Sequence, residues 1–172
     1  FSLMPSEHHK DHITFSSKII NKFFTEKLEL GNNAKNKRIS KIMASLPKQK
    51  LACVLRGLYE GDGSVSRTDL RVSCDSVSEM LIEDLQISLQ RFGVFSRKRF
   101  STRQASGILK DFYMKKGRSL PYFNSTKLIV PSNYVKQFKD NIGFISKRKK
   151  DILNYISLNK KSRGMKLQTL NH

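Results

Sequence analysis

Leu55-Arg56-Gly57-Leu58-Tyr59-Glu60-Gly61-Asp62-Gly63 closes one helical pattern and opens a strand, and its reading decides the fold. Upstream, Leu51, Val54, Leu55 and Leu58 recur at the i, i+3, i+4, i+7 spacing of one helix face. Ser45 is a cap candidate and Pro47 sits in the first turn, so the spacing predicts a helix running to about Glu60. Cys53, Gly57 and Gly61 recur at i, i+4, i+8, a narrow face of small side chains on which a second helix backbone can approach closely. Such a pair sets two helix ends side by side. Asp62, just past this end, then meets the corresponding acid of a partner motif, and paired carboxylates on one axis suit Mg²⁺ with phosphate and water as its other ligands. A lone Gly-Asp-Gly reads only as a turn, so the weight lies on the whole stretch and its surroundings.

Downstream, Ser64 to Arg67 and Leu70 to Asp75 read as a hairpin turning at Thr68-Asp69. A helix from Val77 to Phe92 follows, with Val77, Leu81, Leu85, Leu89 and Phe92 on one face and Glu79, Glu83 and Asp84 off it. Gly93 ends it, and Val94 to Arg103 and Tyr122 to Val130 form a second strand pair joined by a long basic loop. Pro131-Ser132 opens a helix with Tyr134, Val135, Phe138 and Ile142, and Gly143-Phe144 leads into a last helix from about Ser146 to Ser157. Ahead of the quoted stretch lie a short strand, His12 to Ser16, and a helix from about Lys18 to Leu30 with Ile19, Ile20, Phe23, Phe24 and Leu28 as its stripe, stopped by Gly31-Asn32-Asn33. The chain thus divides into an N-terminal extension (1–45), a central domain (46–157) and a basic tail (158–172). Helix, hairpin, helix, hairpin, helix, helix makes an α+β domain, with helices on one face of an antiparallel sheet and the other face wet.

Charge narrows the partner. The 172 residues carry 33 Lys plus Arg against 14 Asp plus Glu, a formal +19, while 38% are hydrophobic and periodically placed, so this is a folded basic protein rather than a disordered tail. Nucleic acid is the expected polyanion and an anionic membrane surface the weaker option. No apolar run of membrane-spanning length and no secretory pattern is present, so a soluble intracellular protein is expected, with cytoplasm, nucleoid and organelle matrix left open. Cys53 and Cys74 have no CxxC pairing and read as small core residues. His8, His9 and His12 have no ligand set at zinc-site spacing beside them.

The quoted stretch resembles the signature of the LAGLIDADG (dodecapeptide) homing endonucleases. It matches at Leu55, Gly57, Leu58, Asp62 and Gly63, keeps an acid at Glu60, and runs into a strand at Ser64-Val65; it departs at Arg56, where the family usually has a small residue. The resemblance spans about Arg38 to Ser157. It implies an αββαββα unit whose antiparallel sheet forms a DNA-binding saddle, and a cleft in which Asp62 is catalytic and holds Mg²⁺ or another divalent cation such as Mn²⁺. By alignment to Gly143-Phe144 it implies a pocket lysine at Lys149, with Lys147 as second choice. The other pocket position falls near Asp75 and Ser76, neither of them the Gln often found there, and Glu60 is secondary. Single-motif members of the family are homodimers and two-motif members are pseudo-symmetric monomers, so the chain is either a homodimer subunit or the second half of a larger protein. An intein origin fits the resemblance, but Phe1 and the ending Asn171-His172 supply no splicing residues.

Strand alternation defines the expected DNA surface. Arg97, Arg99, Ser101 and Arg103 share one side against Lys98, Phe100 and Thr102. On the first hairpin Arg67, Arg71, Ser73 and Asp75 lie opposite Leu70, Val72 and Cys74, the side under the helices. These arginines and serines, with Lys127, form the expected base-reading face, since arginine contacts guanine edges and a β-ribbon fits the major groove. Lys110, Lys115, Lys116 and Arg118 in the loop are expected phosphate anchors. No aromatic pair offers a stacking platform, so duplex DNA is preferred to RNA. The function expected is a site-specific, metal-dependent endonuclease making a staggered double-strand break. The alternative is a non-catalytic DNA-binding regulator or an RNA-splicing maturase of the same fold.

Overall fold

In the computed structural model, residues 17–105 and 107–159 are described. The central helix α3 (Lys48–Asp62) follows Pro47, whose ring fixes the entry angle, and buries Leu51, Ala52, Leu55 and Tyr59 on one face. It runs two residues past the expected end, so Asp62 is its last residue instead of lying just past it. Ser45 does not cap α3. It closes a short helix, α2 (Lys41–Ala44), that the sequence pattern did not reveal, with Ser40 accepting from the Met43 amide at that helix's start.

Strand β1 (Gly63–Ser66) begins where α3 stops, with no loop between them, and pairs antiparallel with β2 (Arg71–Ser76). The turn takes in Leu70, whose φ of 50° places it in the left-handed region; Leu70 is buried in the turn and is not the strand residue expected. Helix α4 (Glu79–Gln90) starts at Ser78, whose hydroxyl accepts from the Leu81 amide and donates to the Lys37 carbonyl at 2.6 Å. Leu81, Leu85 and Leu89 are buried as expected, whereas Val77 precedes the helix and is exposed. Strand β3 (Arg97–Gln104) and β4 (Tyr122–Val130) form the second hairpin. The connection expected to be a loop contains helix α5 (Gly107–Lys115). A 3₁₀ turn (Ser132–Tyr134) leads into α6 (Val135–Asn141), and α7 (Lys147–Leu158) follows.

The sheet order is β1-β2-β4-β3, so β4 joins the two hairpins into one antiparallel sheet. Val72 pairs with Val130 and Cys74 with Leu128, and all four enter the core with Leu51, Leu55, Tyr59, Leu81, Leu85, Phe138 and Ile156 of the helices. The opposite face carries Ser73 beside Ile129 beside Arg97, and Asp75 beside Lys127 beside Arg99. Lys98 confirms the alternation, because its Nζ reaches Glu83 of α4 at 3.3 Å. The architecture is therefore α+β, as expected: a helical layer on one face of a four-stranded antiparallel sheet.

Ahead of α2, α1 (Lys18–Lys22) passes into a π-helical turn (Phe23–Lys27) in place of one helix to Leu30, and Ile19, Phe23 and Phe24 are exposed. Gly31 follows at φ 81°, and a Cβ there would lie 2.1 Å from the Asn36 carbonyl oxygen, so both torsion and space require glycine. Asp84 of α4 anchors this segment, accepting from the Ile39 amide at 3.0 Å and pairing with Arg38 at 3.4 Å. The expected strand His12 to Ser16, the histidines His8, His9 and His12, and the tail from 160 onward lie outside the described residues. Among the described residues no helix is long and apolar enough to cross a membrane.

Candidate functional site

Asp62 stands at the junction of α3 and β1 with its side chain half-exposed, and its nearest cation is Lys37 Nζ at 4.0 Å. Gly63 pairs with Cys74, so Asp62, one residue before, and Asp75, one residue after, come to the same end of the β1–β2 ladder. The Cys74 thiol registers both. Burial first, then the charges of Asp62 and Asp75, push it up to about 12. Asp75 Oδ2 in turn lies 3.4 Å from Lys127 Nζ, and Lys127 pairs in register with Arg99. Asp75, Lys127 and Arg99 thus run in a row across the open face, with Asp62 at the end of the ladder beside Lys37.

Lys149 lies against the end of α3. Only 9% exposed, its ammonium donates to three backbone carbonyls, those of Tyr59 (3.3 Å), Glu60 and Gly63 (2.9 Å), which close the C-terminal turn of α3. A helix C-terminus carries partial negative charge and unpaired carbonyls, and Lys149 satisfies both. Glu60 acts in the opposite direction. Its Oε2 accepts from the amides of Ile145 (2.7 Å) and Ser146 (3.2 Å) at the start of α7, where no side chain of α7 itself caps the helix. Oε1 lies 3.9 Å from Lys149 Nζ. Partial burial raises the Glu60 carboxyl, but the Ile145 amide, Ser146 and the Lys149 charge outweigh this and hold it below the usual range. Arg56 has a role of its own: its Nε donates to the Ile142 carbonyl at 2.6 Å, tying α3 to the α6–α7 turn. Lys147, the first residue of α7, is exposed.

Cys53, Gly57 and Gly61 line the face of α3 turned away from its buried residues. Cys53 is exposed, which corrects its reading as a core residue; Cys74 is buried as expected. A Cβ added at Gly57 or Gly61 would meet nothing within 4 Å. The stripe is therefore open to a second helix.

The expected base-reading residues divide. Arg97 and Arg99 are exposed on the open face, with Lys127 half-buried between Asp75 and Arg99. Ser101 faces Ser125, their hydroxyls 3.0 Å apart. Ser73 lies on the same face but is buried, its hydroxyl 3.0 Å from that of Ser64, so it is not the exposed side chain expected. Arg71 pairs with Asp69 at 3.0 Å. Arg67 falls in the turn after β1 and its guanidinium stacks 4.0 Å over the Tyr155 ring of α7, away from the open face. Arg103 pairs with Phe123 in the β3–β4 ladder; its side chain is outside the described residues. Lys110, Lys115, Lys116 and Arg118 are exposed on and after α5, with Lys116 Nζ 4.7 Å from the Phe112 ring centroid.

The capping role of Glu60 escaped the sequence reading. Its signal is the start of α7, Ser146-Lys147-Arg148-Lys149, a first turn without an acid, whose free amides call for a carboxylate from elsewhere.

A motif helix that ends in an exposed acid, with a bare glycine face and an antiparallel sheet beside it, is the arrangement that comparison with known proteins assigns to a family. The family model for the LAGLIDADG-like domain matches residues 49–143. The chain belongs to the LAGLIDADG-like family. It is 31% identical over 143 residues to the DNA polymerase II large subunit of Thermococcus kodakarensis, covering 81% of this chain and 8% of that protein. It is 38% identical over 64 residues to a probable translation initiation factor IF-2 of the same organism, covering 37% of this chain and 6% of the relative. To the DNA-directed RNA polymerase subunit Rpo1C of Methanocaldococcus jannaschii it is 28% identical over 123 residues, covering 72% and 12%. The chain spans only a small fraction of the curated relatives it matches.

Proposed function

We propose that this chain is a catalytic unit of a site-specific endonuclease of the homing type, hydrolysing duplex DNA with a divalent cation. The observation that carries the reading is Asp62, a half-exposed carboxylate at the end of a helix whose Cys53, Gly57 and Gly61 face is open to a second helix. Close helix pairing brings two such carboxylates together on one axis.

The donor set fits Mg²⁺ or Mn²⁺ in one respect. Mg²⁺ is held by one or two carboxylates, with water and substrate phosphate as the remaining ligands. Among the described residues no group of three or more His, Cys, Asp or Glu side chains is placed to hold a metal ion, and in this reading Asp62 and its counterpart from a second motif are the donors. When bound, the ion supplies Lewis acidity at a phosphoryl oxygen. The chain's own residues present the carboxylate and hold the duplex: Arg97, Arg99 and Lys127 toward base edges, Lys110, Lys115, Lys116 and Arg118 toward phosphates, and Lys147 as a charge near the cleft.

The second motif comes from a second copy or from a preceding repeat of a longer chain. The relatives carry names of unrelated activities, yet each shares only 6%, 8% or 12% of its length with this chain. A unit that recurs in hosts with nothing else in common is an inserted one, which favours an intein association.

The test is cleavage and binding on a randomised duplex library with Mg²⁺. The native chain is expected to select and cut a target, and Asp62→Asn to bind that target equally and leave it intact. Metal-independent binding without cutting by the native chain points instead to a DNA-binding regulator, and RNA binding above duplex binding at matched salt to a maturase.

A further inference from the structure

We infer that Lys149 and Glu60 are positioning residues for Asp62, a reciprocal clamp between α3 and α7, and that Lys149 does not touch the substrate. The inference rests on the reading of Asp62 as the cation-holding carboxylate.

An ammonium has three N–H donors and no acceptor. Those of Lys149 face three carbonyls, of Tyr59, Glu60 and Gly63, so its hydrogen-bonding capacity is taken up by the backbone of the motif itself. No donor remains for a phosphate oxygen or a water. The ring of Phe144 stands 5.3 Å from Nζ and Glu60 Oε1 3.9 Å away, so the head group is enclosed by its own protein. The carbonyls it binds straddle Asp62: Tyr59 and Glu60 precede it within one turn and Gly63 follows it. Any rotation of the helix end that moved the Asp62 carboxylate would break one of these bonds.

Glu60 fixes the lysine's own platform. Its carboxylate holds the Ile145 and Ser146 amides, the entry to α7, and Lys149 sits in the first turn of that helix. Each helix therefore terminates the other. The α3 end is capped by a cation from α7 and the α7 start by an anion from α3, the signs that the two helix dipoles favour. Asp62 is thus carried on a joint with restraints from both sides, as a metal-holding carboxylate needs if its geometry is to be set before the ion arrives.

The sign of a metal-affinity change separates this from a lysine that acts on substrate. Removing a neighbouring cation strengthens the binding of a second cation by simple repulsion, whereas removing a positioning residue weakens it. Mn²⁺ is titrated into the full chain and free ion is read by electron paramagnetic resonance, with circular dichroism melts to set a temperature at which every variant is folded. Lys149→Met and Glu60→Ala are each expected to weaken Mn²⁺ binding by about tenfold, the usual effect of losing an outer-shell partner. The double variant is expected to be no weaker than either, because both remove one clamp. Lys149→Arg keeps the charge, but its planar fork cannot serve the three carbonyls that the ammonium does, so it is expected to weaken Mn²⁺ binding as Lys149→Met does. Tighter Mn²⁺ binding in Lys149→Met, or additive losses in the double variant, overturns the inference. Should Lys149→Met fail to fold, the same sign is read from Lys149→Gln, which removes the same charge. Asp62→Asn is the control: if it leaves Mn²⁺ binding unchanged the reading of Asp62 falls, and if it abolishes binding while Lys149→Met tightens it only the clamp falls.

Discussion

A Cβ on Gly63 would lie 2.4 Å from the carbonyl oxygen of Tyr59 and 2.8 Å from its Cα, so the first residue of β1 folds back directly onto the last turn of α3. The neighbours are backbone atoms of a helix held by Lys149 and cannot yield as a side-chain tip would. Gly63→Ala is therefore expected to destabilise the fold by about 2 kcal/mol or more, the range of an overpacked core. Urea unfolding of the two proteins checks it. An unchanged midpoint would mean that the helix-to-strand junction is looser than its geometry indicates.

Tyr59 holds the other side of that contact. Its ring is fully buried, 4.8 Å from the Phe138 ring and 6.5 Å from Phe144, while its hydroxyl has no hydrogen-bond partner among the described residues. Burial, and then Cys74 nearby, keep the phenol well above its ordinary range, so it stays neutral. A buried hydroxyl without a partner opposes folding by about 1 kcal/mol or more, so Tyr59→Phe is expected to stabilise by about that amount with the aromatic contacts intact. A loss of stability in thermal unfolding would reveal a partner for the hydroxyl.

These junctions also mark how far the sequence could be read. Apolar periodicity placed α3, α4, the two hairpins and α7 within a few residues, because each depends on local spacing and on a core face. Leu81, Leu85 and Leu89 behave as the pattern dictates. What the pattern missed has no local period. The register that brings Asp62 and Asp75 to one end of a ladder depends on pairing across a turn, and the three carbonyls on Lys149 come from 86 to 90 residues away. Ser73 alternates onto the open face as expected, yet it is buried there between Ser64 and Ile129 of the neighbouring strands. The basic composition of 104 to 121 hid α5, whose exposed Ile108, Phe112 and Met114 are not a core face.

Glu60 predicts a pH dependence with a definite sign. Its folded carboxyl lies below the ordinary value, because the Ile145 and Ser146 contacts and Lys149 outweigh the effect of burial. The native state therefore binds that proton less readily than the unfolded chain does. The stabilisation is fully present above the ordinary carboxylate range and is lost as pH falls through the folded value. Glu60→Gln is expected to be less stable than the native chain near neutrality, with the gap closing as pH falls through and below the ordinary carboxylate range. Urea midpoints across that range measure it, and a gap that stays constant would show that the charge of Glu60 contributes nothing.

The open face of α3 yields the last prediction, since its residues report on folding and on assembly separately. Nothing meets a Cβ at Gly57, so Gly57→Ala is expected to stabilise the isolated fold by about 0.5–1 kcal/mol, the ordinary gain of alanine over glycine within a helix. Gly57→Leu likewise leaves the fold intact, but its side chain holds a second helix away, and light scattering with duplex DNA is expected to show association lost. Cys53, exposed on the same face one turn earlier, reads the outcome chemically. A disulfide reagent at pH 8 is expected to label one thiol rapidly in the unassociated chain, because Cys74 is buried and its thiol is pushed up to about 12. On assembly Cys53 is expected to become protected, and in Gly57→Leu to stay reactive under the same conditions. Protection of Cys53 in both proteins would show an interface on this face that tolerates a leucine at 57, and protection in neither would remove this helix from the interface.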